Sequence, residues 1–229
     1  MKPDCIIAAR KGSIRIKNKN IKILLGKPII HHVIRLAINS KLFENVYVTT
    51  DSKKIAKISR LAGAIVPFIR SKNLSTDKTV LKKVIVDCVK KLKKKKPFYV
   101  YIYATAATLR KKDLQFSIKK FIKNKANFLI AIKEFESSPL RGIKINKNGF
   151  ADYKWKKFSN VDTKNLEKLY FHPGSFFIFK TSSYLKLRKG FPEKTIYYIH
   201  KKYSILDIDE QEDFDQLKII IKNKYYRNI

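Results

Sequence analysis

An apolar run near the start of the chain gives way to a charged loop: Cys5-Ile6-Ile7-Ala8-Ala9 is followed by Arg10-Lys11-Gly12-Ser13. Short apolar runs that end in a polar, glycine-containing stretch are typical of buried strands that leave into a loop. We therefore predict a buried first strand, with the basic residues placed just beyond its carboxyl end.

Helix-like and strand-like segments alternate after this strand. Residues 29–42 repeat apolar side chains at helical spacing behind Pro28, a residue suited to a first helical turn. Residues 46–50 predict a strand, and Asp51-Ser52 predicts the cap of a helix over residues 53–61. The same reasoning predicts strands at 64–68, 98–103 and 127–132 and helices at 79–92 and 111–123. This alternation predicts an α/β fold, a Rossmann-like three-layer sandwich with a mainly parallel sheet.

The pattern changes between about residues 137 and 172. Residues 142–150 predict a hairpin that turns at Lys147-Asn148-Gly149, and residues 155–169 are irregular. Strands at 175–179 and 196–199 and a helix at 210–223 follow. We expect one domain over residues 1–229, in which an insertion of about 137–172 covers the site or mediates dimerisation.

Composition narrows the function classes. The chain has 52 Lys+Arg against 18 Asp+Glu, a formal net charge of +34, and 45% hydrophobic residues, which is the apolar content of a globular protein. Lysine is spread along the whole sequence, as an AT-rich coding sequence would produce, although such a field also attracts nucleic acid and other polyanions. We expect no nucleic-acid partner, because no basic stripe with interleaved aromatic residues stands out.

The apolar runs are too short for a membrane helix or a signal peptide, so no membrane insertion and a cytoplasmic location are expected. Cys5 and Cys88 lie far apart in segments of strand and helix character. They are expected to be core residues rather than a disulfide or part of a zinc site. His31, His32 and His200 are expected to have structural or surface roles.

Ligands of open α/β sheets bind beyond the carboxyl ends of the strands, which directs attention to three loops. Residues 8–20 contain neither a P-loop nor a dinucleotide-binding fingerprint, yet backbone N–H groups with Arg and Lys could cradle a triphosphate. An ordinary basic surface loop is the alternative. Residues 70–77 and 103–110 follow later strands, and the small residues of the second stretch suit either a base or ribose or a simple tight turn.

An acidic cluster near the end of the chain, Asp207-Ile208-Asp209, is conspicuous in so basic a sequence. Carboxylates two residues apart at the end of a strand point to the same side and could hold a divalent cation that bridges substrate phosphates. The alternative is that Asp209 caps the last helix.

Several stretches carry a family resemblance through their order and spacing. Ala9-Arg10-Lys11-Gly12-Ser13-Ile14-Arg15-Ile16-Lys17-Asn18-Lys19-Asn20-Ile21 matches A-R-x-G-S-x-R-I-x-x-K-N-I. Gly26-Lys27-Pro28-Ile29-Ile30, Val48-Thr49-Thr50-Asp51 and the D-I-D-x-x-E-D of residues 207–213 follow in the same order. Together they resemble the CMP-sialate synthetase family, cytidylyltransferases that activate nine-carbon acidic sugars. Residues 103–110, Y-A-T-A-A-T-L-R, are most similar to the pseudaminic acid branch.

The resemblance implies a nucleotide-diphospho-sugar transferase type of fold and transfer of CMP from CTP to the anomeric hydroxyl of a nonulosonic acid, most closely pseudaminic acid, with release of pyrophosphate. It also implies Mg²⁺, a homodimer, and a role in surface glycan or flagellin modification. The implied catalytic residues are Arg10, Lys19 and Asp209, and the implied metal ligands are Asp207 and Asp209. The implied nucleotide-binding residues are Ala8, Ala9, Arg10, Gly12, Ser13, Arg15, Lys19, Asn20, Arg70, Asp77, Tyr103 and Thr105. The implied sugar-binding residues are Asn160, Tyr170, His172 and Ser175.

The sequence departs from the family pattern at a few positions: Ile14 stands in place of a Lys, Ala104 and Ala107 in place of prolines, Asp162 in place of an Arg, and residues 171–175 differ from H-D-A-G-Q. Three alternatives therefore stay open. The chain could act on sialic or legionaminic acid, it could be a degenerate homologue that binds CTP without turnover, or it could be a non-catalytic nucleic-acid-binding protein.

Overall fold

A computed structural model describes residues 2–202 and 204–223. Its strands are β1 (Asp4–Ala8), β2 (Ile23–Leu24), β3 (Lys27–Pro28), β4 (Val46–Thr49), β5 (Phe98–Tyr103), β6 (Phe128–Glu134), β7 (Ile143–Ile145), β8 (Ala151–Tyr153), β9 (Tyr170–Phe171), β10 (Phe176–Lys180) and β11 (Thr195–Ile199). Its α-helices are α1 (Ile29–Ser40), α2 (Lys53–Leu61), α3 (Leu81–Lys91), α4 (Lys111–Lys123), α5 (Thr181–Lys186) and α6 (Gln211–Lys222).

The main sheet has the strand order β11-β6-β10-β5-β1-β4, and β9 extends it by pairing with β6. β1 is parallel to β4 and β5, and β11 is parallel to β6, whereas β10 runs antiparallel between β5 and β6. The predicted α/β fold with a mainly parallel sheet is confirmed. The antiparallel β10 was not predicted.

Apolar cores cover both faces of the sheet. Successive residues of β1 alternate between them, because side chains of a strand point to opposite faces: Cys5 and Ile7 belong to one core and Ile6 to the other. A smaller third core joins the loop after β1 to the last helix and consists of Ile16, Leu24, Ile29, Ile208, Phe214 and Leu217. Burial of such side chains stabilises by about 1.5–3 kcal/mol each, so this core fixes the loop on α6.

Local sequence signals explain where the helices begin. The Ser52 hydroxyl accepts the backbone N–H of Ile55 and caps α2, as the sequence predicts. α1 begins directly after Pro28, and at the start of α4 the backbone N–H of Arg110 donates to the Asp113 carboxylate at 3.2 Å. The predicted helix at 210–223 is present as α6.

Two strand predictions were wrong. Residues 64–68 make one isolated parallel bridge to β4, between Ile65 and Tyr47, because Pro67 has no N–H to continue a ladder. Ile69 makes a separate bridge with Thr50, just beyond β4. The strand that was predicted to end at the acidic cluster is also absent, because residues 204–210 contain no strand. The backbone N–H groups of Asp209 and Glu210 instead donate to the Asp213 carboxylate, at 2.8 and 2.7 Å.

The cap of the last helix also differs from the prediction. Glu210 rather than Asp209 occupies the N-cap position of α6, and Asp213 completes its capping box. Asp209 is therefore not the capping residue that the alternative interpretation required.

The segment between β6 and β10 forms the predicted hairpin, β7 and β8, followed by short 3-10 turns at Lys156–Phe158 and Thr163–Asn165. Its apolar side chains Ile143, Ile145 and Phe150 are 65–75% exposed. Cys5 and Cys88 are buried free thiols, as predicted. Across residues 2–202 and 204–223 no helix combines the length and the apolar character needed to cross a membrane.

Candidate active site

A cavity of about 410 Å³ opens where β1 ends and the basic loop begins. Eight of the twelve predicted nucleotide-binding residues line it: Ala8, Arg10, Ser13, Arg15, Lys19, Asn20, Arg70 and Asp77. This main cavity lies at the carboxyl end of a parallel strand, the position at which α/β sheets bind their ligands.

The loop after β1 presents free backbone donors. Within the described residues, the N–H groups of Gly12, Ser13 and Ile14 donate to no acceptor, whereas the N–H of Lys11 donates to the Asp51 carboxylate at 2.9 Å. A Cβ added to Gly12 would meet no atom within 4 Å. Consecutive free N–H groups with open space around them are suited to binding an anion.

The cations of the main cavity are held in place by neighbours. The Arg10 guanidinium lies 2.5 Å from the Asp77 carboxylate. Arg70 is buried and donates to the Ser75 hydroxyl at 3.0 Å and to the Thr49 carbonyl at 3.3 Å. Burial lowers the pKa of Arg70 from its ordinary value, and the nearby Asp51 carboxylate opposes that shift. These contacts preorganise positive charge for a polyanionic ligand.

The acidic pair lies beside this loop. The Asp209 carboxylate forms ion pairs with Arg15 at 2.8 Å and with Lys19 at 3.3 Å. Lys19 also donates a hydrogen bond to the Ile208 carbonyl. Burial raises the pKa of Asp207 above its ordinary value, and repulsion from the Asp209 carboxylate adds to this shift, while the charge of Lys19 opposes it. The two carboxylates are thus close enough to couple electrostatically.

Asp207 faces a second group of side chains. A Cβ on Gly174 would lie 2.7 Å from the Asp207 carboxylate oxygen, so the carboxylate rests directly on that glycine. Burial, together with repulsion from the Asp207 carboxylate, raises the pKa of Tyr103 to about 12. His172 donates its Nδ1–H to the Ala131 carbonyl at 2.7 Å, and its ring centroid lies 5.2 Å from that of Tyr103. Burial lowers the pKa of His172, which favours the neutral ring.

Other predicted site residues lie elsewhere. Ala9 is buried, Thr105 is half-buried outside the lining of the main cavity, and Asn160 is exposed in the insertion. Tyr170 lines a separate cavity of about 340 Å³ with His172. Ser175 is fully buried and its hydroxyl bonds to His200 Nε2 at 2.9 Å, so its side chain does not face the main cavity. The structural role expected for His200 agrees with this contact.

The cavity also contains residues that the sequence reasoning missed: Ile14, Ile16, Leu74, Thr76, Thr79, Leu81, Val84 and Tyr101. Tyr101 could have been found, because it lies two residues before Tyr103 on the same face of β5. Leu81 and Val84 carry no local signal, since their helical spacing predicts a core face equally well.

The acidic pair fits a magnesium ion in its donor chemistry. Mg²⁺ prefers hard oxygen ligands and is usually held by one or two carboxylates together with substrate phosphates. Within the described residues no group of three or more metal-binding side chains occurs, so a metal ion at Asp207 and Asp209 would take its remaining ligands from the substrate and water. Their mutual repulsion would be relieved by a cation between them.

Known proteins resemble this chain over most of its length. A family model described as cytidylyltransferase matches residues 5–228. The chain is 33% identical over 225 residues to a pseudaminic acid cytidylyltransferase of Campylobacter jejuni subsp. jejuni serotype O:2, covering 97% of each protein. It is 28% identical over 216 residues to an N-acylneuraminate cytidylyltransferase of Streptococcus agalactiae serotype V, covering 93% of this chain and 52% of the relative.

Among solved structures, CMP:2-keto-3-deoxy-manno-octonic acid synthetase complexed with CTP superposes with a TM-score of 0.71 at 15% identity, covering 98% of this chain and 100% of the other. At that identity the likeness establishes the shared fold.

Proposed function

The chain belongs to the cytidylyltransferase family, and from this premise we propose that it transfers CMP from CTP to the anomeric hydroxyl of a nonulosonic acid, with pseudaminic acid as the acceptor. The relative that matches over 97% of both chains is named for pseudaminic acid. The Y-A-T-A-A-T-L-R stretch of residues 103–110 points to the same acceptor.

The observation that carries this proposal is the position of the acidic pair between two binding regions. Asp209 contacts Arg15 and Lys19 of the loop that lines the main cavity. Asp207 rests on Gly174, beside Tyr103 and His172. A nucleotide in the main cavity would therefore present its phosphates to the acids from one side, and an acceptor sugar would reach them from the other.

The reaction forms one P–O bond and breaks another. The anomeric hydroxyl oxygen attacks the α-phosphorus and its proton passes to solvent water, while the bond from the α-phosphorus to the α–β bridging oxygen breaks and its electron pair leaves with pyrophosphate. Most of the catalysis is positioning and charge neutralisation. In the proposed arrangement Arg10, Arg15 and Lys19 grip the phosphates, and the free N–H groups of Gly12 and Ser13 donate to phosphate oxygens.

We assign the base and ribose to the inner end of the main cavity. Arg70 and Asn20 supply polar contacts there, and Ala8 allows close approach to the end of β1. Asn20 is oriented by its side-chain amide, which donates to the Arg10 carbonyl at 3.0 Å. Asp77 positions Arg10 through their ion pair.

Mg²⁺ would be held by Asp207 and Asp209 with the phosphate oxygens of CTP, and when bound it supplies charge neutralisation at the reacting phosphate. Arg15 and Lys19 would exchange their contacts with Asp209 for contacts with the phosphates, which lie on the same side of the loop.

The sugar would lie beside Tyr103 and His172. The Nδ1–H of His172 is committed to Ala131, so in the neutral ring its Nε2 carries the lone pair, and this atom has no partner among the described residues. Nε2 is buried, so it would accept a hydrogen bond from a sugar hydroxyl only after neighbouring side chains move aside. Ser175 would act through its backbone, where its carbonyl accepts the Tyr103 N–H at 3.0 Å.

The decisive experiment is pyrophosphate release by the purified protein with Mg²⁺ and CTP, across pseudaminic, sialic and legionaminic acids and a control without sugar. Release with pseudaminic acid alone is the expected result. Release with another acid reassigns the acceptor. Binding of CTP without release from any acid identifies a degenerate homologue, and absence of CTP binding rejects the proposal.

Loss of one acid tests the chemistry directly. Asp209→Ala is expected to lower the turnover rate at least 100-fold, because it removes a proposed ligand to the metal and a partner of two phosphate-binding cations. Glu212→Gln is the matched control, since Glu212 is exposed in the first turn of α6 and makes no hydrogen bond or ion pair within the described residues. Equal rates for the two variants would exclude a role for Asp209.

The homodimer also belongs to this proposal. The insertion exposes the apolar side chains of Ile143, Ile145 and Phe150 on its hairpin, and a second copy of the chain would bury the face that carries Ile143 and Ile145.

A further inference from the structure

The Asp207 carboxylate is placed by contact with a glycine rather than by a partner side chain. Within the described residues no side chain donates a hydrogen bond to this carboxylate or forms an ion pair with it. The carboxylate lies directly against Gly174, because a Cβ added there would approach its oxygen to 2.7 Å. Whatever fixes the backbone of Gly174 therefore also fixes Asp207.

Ser175, the residue after Gly174, is tied to the core through its backbone and its side chain. Its carbonyl accepts the N–H of Tyr103 at 3.0 Å. Its hydroxyl is fully buried and shares a 2.9 Å hydrogen bond with Nε2 of His200. That hydroxyl makes no other hydrogen bond within the described residues, so His200 determines its orientation.

The ring of His200 is itself held on several sides. Its backbone N–H donates to the Ile132 carbonyl at 2.8 Å, which continues the pairing of β11 with β6. The ring packs edge-on against Phe176 and Tyr198, with centroid distances of 5.8 and 5.1 Å and interplanar angles of 88° and 89°. A ring fixed in this way can hold Ser175 in one orientation.

Resting on the proposed function, we propose that His200 is a positioning residue for the reaction, because its hydrogen bond to Ser175 holds the turn on which Asp207 rests. His200 acts through its neighbours, since it lines neither the main cavity nor the cavity beside His172. An apolar side chain at position 200 would leave the Ser175 hydroxyl buried and unpaired. The turn at Gly174 would then shift to find that hydroxyl a partner, and Asp207 would lose its support.

Calorimetric titration of the full chain with CTP, with and without Mg²⁺, tests this role without requiring turnover. In the wild type, Mg²⁺ is expected to tighten CTP binding through Asp207 and Asp209. His200→Leu should bind CTP without Mg²⁺ within twofold of the wild type and should lose about tenfold in the tightening that Mg²⁺ gives, the loss typical when a group that orients a metal ligand is removed. His200→Gln should restore the tightening, because its amide can replace Nε2 as the partner of Ser175.

Two further variants distinguish positioning from a general loss of stability. Ile34→Val weakens the core on α1, at a residue that lines neither cavity, and should respond to Mg²⁺ like the wild type. The double variant Ser175→Ala, His200→Leu replaces both partners of the hydrogen bond by apolar side chains. It should regain much of the stability in urea that His200→Leu loses, yet keep the weak response to Mg²⁺. It also provides the same test if His200→Leu folds poorly.

The outcomes separate this inference from the proposed function. A magnesium response in His200→Leu equal to that in Ile34→Val overturns the positioning role, as does a double variant whose response recovers together with its stability. Wild-type CTP binding that is insensitive to Mg²⁺ overturns it as well, since Asp207 then holds no metal. A response that depends on His200, in a protein that turns over no nonulosonic acid, supports the positioning role and rejects the proposed reaction.

Discussion

At the scale of single residues, the contact between Gly174 and Asp207 decides how the acidic pair is held. Gly174 has a φ of +56°, in the left-handed region, and a Cβ there would approach the Asp207 oxygen to 2.7 Å. A side chain at this position would meet both a backbone penalty and a displaced carboxylate. The carboxylate of Asp207 is thus positioned by the absence of a neighbouring side chain as much as by any hydrogen bond.

Gly174→Ala is accordingly expected to lower the rate of pyrophosphate release at least tenfold and to destabilise the fold by about 1–2 kcal/mol. Gly149→Ala provides the control, because Gly149 has a φ of +83° with no atom within 4 Å of its added Cβ. It should show a similar loss of stability in urea unfolding and an unchanged rate. A Gly174→Ala protein as active as Gly149→Ala would mean that Asp207 can move without consequence.

His200 is the residue that couples the fold to pH. It is 3% exposed, its Nδ1 has no partner among the described residues, and burial lowers its pKa to about 4 while the Asp113 carboxylate opposes that shift. The folded protein therefore keeps His200 neutral, whereas the unfolded chain takes up a proton near pH 6.5. Stability is unaffected by His200 above that pH and falls progressively as the pH drops toward 4, by up to about 3 kcal/mol.

His200→Gln should flatten this dependence, because glutamine can still donate to Ser175 and does not titrate. Urea unfolding at several pH values between 7.5 and 4 provides the measurement, with the pH 7.5 value as each protein's own reference. A residual slope is expected, since burial also lowers the pKa values of His31 and His172. Identical slopes in the two proteins would contradict the buried neutral state of His200.

At the scale of elements, local signals predicted five of the six described α-helices and most strands, and missed the short α5. The Pro28 start of α1, the Ser52 cap of α2 and the bounds of α4 at Lys111–Lys123 agree with the sequence reasoning, because each depends on neighbouring residues. The antiparallel direction of β10 and its place between β5 and β6 depend on contacts far along the chain. No local pattern contains that information.

The site shows the same division. The loop after β1 was found from its position and its cations, and most of its predicted residues line the main cavity. The side chain of Ser175 does not face the main cavity, because its hydroxyl bonds to His200, a residue of a distant segment that no local pattern links to it. The sequence indicated the acidic pair but not the contact that holds it. Asp213 on α6, rather than a strand ladder, accepts the backbone N–H of Asp209.

The first turn of α6 therefore serves the site as well as the fold. Asp213→Ala removes the acceptor of two backbone N–H groups and is expected to cost about 1–2 kcal/mol of stability. It should also raise the Mg²⁺ concentration needed for half-maximal turnover several-fold, because Asp209 is then less ordered. Asp213→Asn, which keeps one acceptor oxygen, should lie between Asp213→Ala and the wild type.

Asp215→Ala is the control in the same helix, since Asp215 contacts only Gln211 and Lys218 on the surface within the described residues. If its magnesium dependence matches that of Asp213→Ala, the effect belongs to α6 in general. A difference between the two variants assigns it to the backbone of Asp209.

At the scale of the whole molecule, the charge of +34 opposes the association of two copies. In the proposed homodimer the attraction would come from apolar surface, such as that which the insertion exposes at Ile143, Ile145 and Phe150. Salt screens the repulsion between like-charged chains and leaves apolar burial largely intact. Binding of nucleic acid to the same charge would weaken with salt instead.

Dimer formation should accordingly strengthen as ionic strength rises from about 0.05 to 0.5 M, a range over which the screening length falls from beyond 10 Å to a few ångströms. Sedimentation of the wild type at both salt concentrations measures this. Ile145→Asp should be monomeric at either salt concentration, because it places a charge in the proposed interface. Leu61→Asp is the control: Leu61 is about equally exposed, lies at the end of α2, and its variant should dimerise like the wild type. A wild-type dimer that dissociates on addition of salt would show that charge rather than the apolar hairpin holds the copies together, and a dimer that survives Ile145→Asp would place the interface elsewhere on the chain.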